Sequence, residues 1–244
     1  MIRIASAAAL LALLALPAMA HAEANITGAW GRYFARPGET IDRSLLPPPS
    51  PPPPLKPEFQ KAYEEHRKAS RAADAKGEPL AGNSVSCLPD GMPQMMFAIY
   101  PLEILQTPGK VTIIEEAYSQ VRHVWLGKPQ VRIEDQPPGY FGHSVGHWEG
   151  DTLVIDTVGI KETVPAGQGV PHSDQMRITE RLRMASADVM HNQITITDPK
   201  VFTGPWTFTY AYKRLPGYEM LEYVCEDNRE YVDEKGGTHL RLPN

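Results

Sequence analysis

Catalytic motifs and cysteines are scarce in this sequence. It has no Gly-rich phosphate loop and no HExxH pair, so nucleotide use and zincin-type hydrolysis have no positive support, and neither has a serine nucleophile. Its two cysteines, Cys87 and Cys225, form no CxxC pair, which disfavours redox catalysis and a thiolate zinc site. Two thiols in an exported chain are typically joined, so a disulfide is predicted, with two buried free thiols as the alternative.

Positive charge is in the minority. The chain carries 24 Lys and Arg against 29 Asp and Glu, a net charge of −5, whereas a nucleic-acid-binding protein normally presents a basic face. Nucleic acid is therefore not an expected partner. Beyond residue 22 no stretch is long and apolar enough to cross a membrane as a helix, so no membrane span is predicted in the mature chain.

The first 22 residues have the features of a secretory signal peptide. Arg3 gives a positive start, residues 5–16 form an apolar run, and small residues precede a cleavage point after Ala22. The apolar run is shorter than the roughly 20 residues that a membrane-spanning helix needs, although an uncleaved anchor is the alternative. We predict a periplasmic or secreted protein whose mature residues 23–244 form a single domain.

Most of the mature chain has the pattern of β-structure. Apolar and polar side chains alternate in short segments that are divided by Pro, Gly, Asn or Asp. The predicted strands cover residues 26–34, 102–106, 111–115, 120–126, 143–148, 152–158, 175–184, 191–197, 206–213 and 220–225. Nine or so strands with hardly any helix between them predict an all-β fold, an antiparallel up-and-down β-barrel.

A different segment interrupts this pattern near the N-terminus. Seven of the eight residues 47–54 are proline, which imposes an extended polyproline II conformation. A short surface helix is predicted from Pro57 to about residue 75, because Pro suits its first turn and Gly77 suits its end. We interpret residues 47–80 as a strap outside the barrel.

One predicted strand carries a continuous aromatic face. Trp206, Phe208, Tyr210 and Tyr212 alternate along it and therefore point to the same side. Such a face is buried, either in a packed core or along a ligand cavity. The sequence leaves both interpretations open.

Three histidines are candidate acid–base groups. His143 and His147 share one face of a predicted strand at a separation of about 14 Å, so both can face one cavity. His172 lies in a Pro-containing loop two residues before Asp174, where it can serve as a general base or simply cap the loop. One of these histidines could ligate a metal together with His172, but two strand histidines without an identified third ligand are a weak metal signal. We predict neither a metal nor another cofactor.

Glu180 is a carboxylate among apolar neighbours. It alternates onto the strand face that holds Ile178 and Leu182. A buried carboxylate is costly unless it is paired, so Glu180 is a candidate catalytic acid. The alternative is a buried ion pair with an arginine of another strand, for example Arg122.

Several sequence blocks resemble known proteins. Gly28-Ala29-Trp30 on a first strand is similar to the GxW opening of lipocalin-like (calycin) barrels. A larger set resembles a family of uncharacterised secreted bacterial proteins and comprises residues 87–93 (CLPDGMP), 142–157 (GHSVGHWEGDTLVIDT), 171–173 with 180–181, 205–207 and 222–228 (EYVCEDN). The second resemblance implies that Cys87 pairs with Cys225 and that the loops of His143 and His172 are signature positions.

We predict from these features a barrel that binds a small apolar or amphipathic molecule in a cavity lined by aromatic side chains. The predicted ligand-binding residues are Trp30, Arg122, His147, Trp206 and Tyr210.

Two other functions remain open at this point. One is a cofactor-independent lyase, isomerase or hydrolase, in which His143 or His172 is the base and Glu180 the acid. Arg122 or Arg181 would then stabilise a developing anion. The other is an envelope interaction protein that docks through the polyproline strap. The sequence does not specify an oligomeric state.

Overall fold

A computed structural model describes residues 23–35, 38, 40–77, 80, 87–167 and 169–225, and the backbone of residues 231–232 and 238–239. The predicted signal peptide lies outside the described residues. No helix among the described residues is long and apolar enough to cross a membrane.

Nine strands form a closed β-barrel. They are β1 (Gly28–Arg32), β2 (Leu102–Thr107), β3 (Lys110–Glu115), β4 (Gln120–Leu126), β5 (His143–Glu149), β6 (Thr152–Val158), β7 (Arg177–Met184), β8 (Val189–Thr197) and β9 (Trp206–Arg214). Each strand pairs with the next along the chain, and β9 pairs with β1 to close the ring. The predicted all-β barrel is therefore confirmed.

Short elements complete the fold. The helix α1 (Pro57–Asp74) confirms the predicted helix near the N-terminus. The described residues also form four 3₁₀ helices, at Arg43–Leu45, Gln94–Phe97, Ala117–Ser119 and Ile133–Asp135. They form as well a separate pair of two-residue strands, Tyr231–Val232 and Thr238–His239.

One seam departs from the predicted antiparallel order. β4 and β5 run parallel and pair over three positions, from Val124 with Ser144 to Leu126 with Gly146. Nine strands of strictly alternating direction cannot form an antiparallel ring, because the first and last would point the same way. The parallel seam removes this conflict, and the long connection 127–142 returns the chain to the end at which β4 began.

The predicted strand at residues 220–225 is wrong, because this segment is irregular. Its Leu221 N–H donates to a carboxylate oxygen of Glu116 at 2.9 Å, and the Tyr218 hydroxyl donates to the same oxygen at 2.6 Å. The Glu116 side chain thus accepts the hydrogen bond of a backbone N–H that would otherwise donate to a neighbouring strand. The segment is fixed at its end by the Cys225–Cys87 disulfide, which confirms the predicted pairing.

The barrel interior is packed with side chains. Alternate residues of each strand point inward, and the fully buried ones include Ile104, Ile113, Leu153, Ile155, Ile178 and Ile194. The segment before β2 adds Met92, Met95 and Met96 to the same cluster. This segment covers the end of the barrel at which β2, β4, β5, β7 and β9 begin, which we call the covered end.

The strap also lies over the covered end, both through its polyproline part and through α1, which is its helical part. The strap carbonyl of Pro51 accepts from the indole N–H of Trp206 at 2.9 Å, and that of Pro54 accepts from the backbone N–H of Thr203 at 2.8 Å. His66 of α1 packs closely against Gly169, and a Cβ added at residue 169 would overlap the imidazole ring of His66. The positive φ of +77° favours glycine at position 169, and its missing side chain leaves room for the His66 ring beside the loop 159–176.

Candidate functional site

A cleft of about 230 Å³ lies where the strap, α1 and the loop 159–176 meet the covered end. Residues of five separate chain segments line it: Arg32, Ser50, Pro51, Pro53, Tyr63, Phe97, Ala166, Gly167, Val170, Trp206, Phe208 and Tyr210. Most of these side chains are aromatic or aliphatic. Such a lining with a few polar groups is typical of a small-molecule site.

The inward aromatic face of β9 forms one wall of the cleft. The ring centroids of Trp206 and Phe208 lie 4.8 Å apart, and those of Phe208 and Tyr210 lie 5.2 Å apart. Phe97 meets Tyr210 edge to face at 5.4 Å. The fourth residue of the face, Tyr212, is fully buried deeper in the barrel. The same strand face therefore serves both as core and as cleft wall.

Arg32 is the charged residue of the cleft. Its guanidinium carbon lies 3.9 Å from the Tyr210 ring centroid and 4.7 Å from that of Phe97, and its Nη1 donates to the Phe97 carbonyl at 3.4 Å. Burial lowers the pKa of Arg32 and raises that of Tyr210. The sequence analysis missed Arg32, although alternation from Trp30 places it on the inward face of β1.

Three of the predicted ligand-binding residues do not line this cleft. Trp30 is fully buried, donates its indole N–H to the Ile26 carbonyl at 2.9 Å and packs under Arg214. Arg122 is buried in the middle of the barrel. His147 is 61 % exposed on the outer surface. Only Trp206 and Tyr210 of the predicted set lie in the cleft.

Glu180 forms a buried ion pair with Arg122 in the centre of the barrel. The two side chains are 0 % and 1 % exposed. Arg122 also donates to the hydroxyls of Ser144 at 3.1 Å and Thr157 at 2.9 Å, and Asn192 donates to the second Glu180 oxygen at 2.9 Å. The geometry therefore matches the ion-pair alternative for Glu180.

The sequence analysis found no support for a serine nucleophile and missed a GxSxG spacing that includes Ser144, Gly142-His143-Ser144-Val145-Gly146. A nucleophile elbow would expose this serine on a sharp turn between a strand and a helix. Here Ser144 lies within β5, points inward and is held by Arg122. A Cβ at Gly146 would lie 2.9 Å from a methyl of Val124, so this glycine permits the close β4–β5 packing.

His143 and His147 share one face of β5, but this face points outward. Ser144 and Gly146 occupy the inward positions, opposite Val124 and Leu126 of β4. The Nδ1 of His143 lies 2.8 Å from the side-chain oxygen of Gln130, outside the barrel wall. The expectation that both histidines can face one cavity is therefore corrected.

His172 is buried in the loop 159–176, where its side chain bridges two backbone segments of the loop. Its Nε2 lies 2.6 Å from the Val164 carbonyl, and its Nδ1 lies 2.9 Å from the Ser173 carbonyl. A neutral imidazole donates from one of these nitrogens, whichever tautomer is present. Ser173 is held in turn by the buried Asp198, to which its backbone N–H and hydroxyl both donate. The geometry supports the loop-capping interpretation of His172.

Replacing His172 by alanine is expected to lower the free energy of unfolding by about 1–2 kcal/mol, because one of the two carbonyls, that of Val164 or that of Ser173, loses its buried donor. Limited proteolysis should then cut the loop 159–176 faster than in the wild-type protein. His191→Ala is the matched control, since His191 bonds the Leu45 carbonyl at 2.8 Å on the outer surface. Equal proteolysis of the loop in both variants would contradict the capping role.

A pair of acidic residues forms a second unusual site, which the sequence analysis missed. Glu115 points inward at the end of β3 and accepts from the Gln120 amide at 2.6 Å. Burial, with Asp90 adding its charge, raises the pKa of Glu115 to about 9. Burial also raises the pKa of Asp90 and of the neighbouring Tyr118. The sequence did offer a signal for Glu115, because it stands two residues after the apolar Ile113 and therefore points to the same face of β3.

Comparisons with known proteins leave the geometry as the basis for a function. No family model matches the chain, and no curated protein matches it at a significant level. Within the described residues, no group of three or more His, Cys, Asp or Glu side chains is placed to hold a metal ion. The cleft is the site whose shape and lining point most directly to a ligand.

Proposed function

We propose that this chain is an exported, lipocalin-like binding protein that holds a small amphipathic molecule in the cleft at the covered end. The observation that carries the proposal is the aromatic wall of Trp206, Phe208 and Tyr210 beside the partly buried guanidinium of Arg32. Drug-sized ligands occupy pockets of about 300–1,000 Å³, so a cleft of about 230 Å³ suits a smaller guest. At about 30 Å³ for each water-sized group, it holds roughly eight such groups, the size of one substituted aromatic ring.

Two features support the exported location. The Cys87–Cys225 disulfide is of a kind that persists in oxidising compartments. The predicted signal peptide would direct the chain to such a compartment. A barrel with a binding site at one end is an arrangement that suits capture of small molecules outside the cytoplasm.

The candidate acid–base residues are not brought together. Glu180 is in the barrel centre, His143 is on the outer surface of β5, and His172 is within a loop that covers the barrel. A general base must lie within hydrogen-bond reach of the group on which it acts. The binding function is therefore favoured over catalysis by these three residues.

Single-ring aromatic compounds are expected to bind in the cleft, and p-cresol, benzamide and benzoate form a suitable panel. At least one of them should shift the indole N–H resonance of Trp206 in NMR titrations, while that of Trp125, on another face of the barrel, stays unchanged. Tyr63→Ala should weaken this binding roughly twofold to tenfold, because it removes one aromatic wall.

Phe59→Ala is the matched control for Tyr63→Ala. Phe59 lies one turn earlier on α1 and also packs against the core, but it does not line the cleft. It should leave the dissociation constants unchanged. A panel in which no compound shifts Trp206, or in which the two variants weaken binding equally, would contradict the proposed function.

A further inference from the structure

We propose that the ligand is an aromatic carboxylate whose charged group binds Arg32. This inference rests on the proposed function and adds to it the charge and the orientation of the ligand. The aromatic body would lie against the β9 wall, and the carboxylate would meet the guanidinium beside Phe97 and Tyr210.

Arg32 lacks a counter-charge in the part of the chain that the structure describes. The ion pairs among these residues, taken to 4.0 Å, do not include it. Arg32 also lines a second groove, whose two carboxylates are those of Asp42 and Asp188. Both have other partners, because Asp42 accepts from Ser44 and Asp188 pairs with Lys213. A partly buried guanidinium without a carboxylate is unfavourable, so a bound anion would stabilise this arrangement.

The environment of Arg32 selects for a planar anion. Two adjoining rings, themselves 5.4 Å apart, contact the guanidinium, at 3.9 Å from the Tyr210 centroid and 4.7 Å from that of Phe97, and restrict its orientation. A guanidinium has five N–H donors, and the structure shows one of its nitrogens bonded to a carbonyl, at the long distance of 3.4 Å. The remaining donors suit the two oxygens of a carboxylate, which arginine binds in a bidentate manner.

The surface beside the cleft is also cationic. Pro53 and Tyr63 line both the cleft and a neighbouring surface groove. The charged residues of that groove are Arg67, Lys68 and Arg71, with Glu64 as the single acid. The chain as a whole carries a net charge of −5, so this local excess of positive charge is a distinct approach path for an anion.

A comparison of benzoate with benzamide tests the inference, because the two molecules have nearly the same size and differ in charge. Isothermal titration of the full-length protein should give a dissociation constant about tenfold to hundredfold lower for benzoate. Arg32→Gln should remove this preference, so that both compounds bind with similar affinity. Arg214→Gln is the matched control, since Arg214 also stacks on an aromatic ring, that of Trp30 at 4.3 Å, but lies outside the cleft.

Each result separates this inference from the proposed function. Equal binding of benzoate and benzamide to the wild-type protein, or a benzoate preference that survives in Arg32→Gln, overturns the inference and leaves the binding function intact. Failure of both compounds and of p-cresol to bind at Trp206 overturns the binding function itself. If Arg32→Gln loses its near-ultraviolet circular dichroism, Arg32→Lys replaces it and must retain a preference for benzoate because the charge is kept.

Discussion

Replacing Glu180 by glutamine is expected to lower the free energy of unfolding by about 3–5 kcal/mol. The ion pair of Glu180 with Arg122 is fully buried, so its loss leaves an uncompensated guanidinium in the centre of the barrel. The hydroxyls of Ser144 and Thr157 still accept from Arg122, but they carry no negative charge. Urea denaturation followed by far-ultraviolet circular dichroism measures the change, provided that the m-value is constant.

Two controls separate the uncompensated charge from other effects. In the double variant Arg122→Met with Glu180→Leu both charges are absent, and its stability should be close to that of the wild-type protein. Glu149→Gln breaks an exposed, solvent-screened pair with Arg181 and should hardly change the free energy of unfolding. A Glu180→Gln variant as stable as the Glu149→Gln variant would show that the buried pair does not contribute in this way.

Replacing Glu115 by glutamine is expected to stabilise the protein by about 1–3 kcal/mol at pH 7. The unfolded chain ionises Glu115 near its usual pKa of 4.5, whereas burial keeps the folded carboxyl protonated to about pH 9. Between these pH values the folded state binds one more proton than the unfolded state, so stability falls as the pH rises. Each pKa unit corresponds to about 1.4 kcal/mol, which makes the cost at pH 7 on the order of 3 kcal/mol.

The pH dependence distinguishes this effect from a change in packing. Below pH 4.5 Glu115 is protonated in both states, so Glu115→Gln should match the wild-type protein there and gain stability as the pH rises. Glu116→Gln should instead destabilise, because Glu116 accepts from Tyr218 and Leu221 and a neutral oxygen is the weaker acceptor. A gain for Glu115→Gln that is constant from pH 4 to pH 8 would refute the titration argument.

Alternation along the strands predicted much of the barrel, because it is a local property of the sequence. It placed the four aromatic residues of β9 on one face, and it placed Glu180 inward. It did not decide which face of β5 is the inner one. Neither face of β5 is uniformly apolar. The inner face carries the small residues Ser144 and Gly146, which lie next to the bulky side chain of Arg122.

The cleft could not be predicted in the same way, because it depends on contacts between distant segments. Arg32 meets Phe97 and Tyr210 only after β1 has paired with β9 and the segment before β2 has covered the barrel. The polyproline pattern predicted an extended strap but not its position above Trp206. The parallel β4–β5 seam likewise follows from closure of the whole ring and has no local signature.

Proline has no backbone N–H, and this determines how motion of the strap can be observed. Amide hydrogen exchange, the usual probe of local opening, gives no signal from the prolines of residues 47–54. The indole proton of Trp206, bonded to the Pro51 carbonyl, is therefore the natural reporter of whether the strap is seated. If a guest enters beneath the strap, it can come and go no faster than the strap opens, and the exchange rate of that single proton equals this opening rate when every opening leads to exchange.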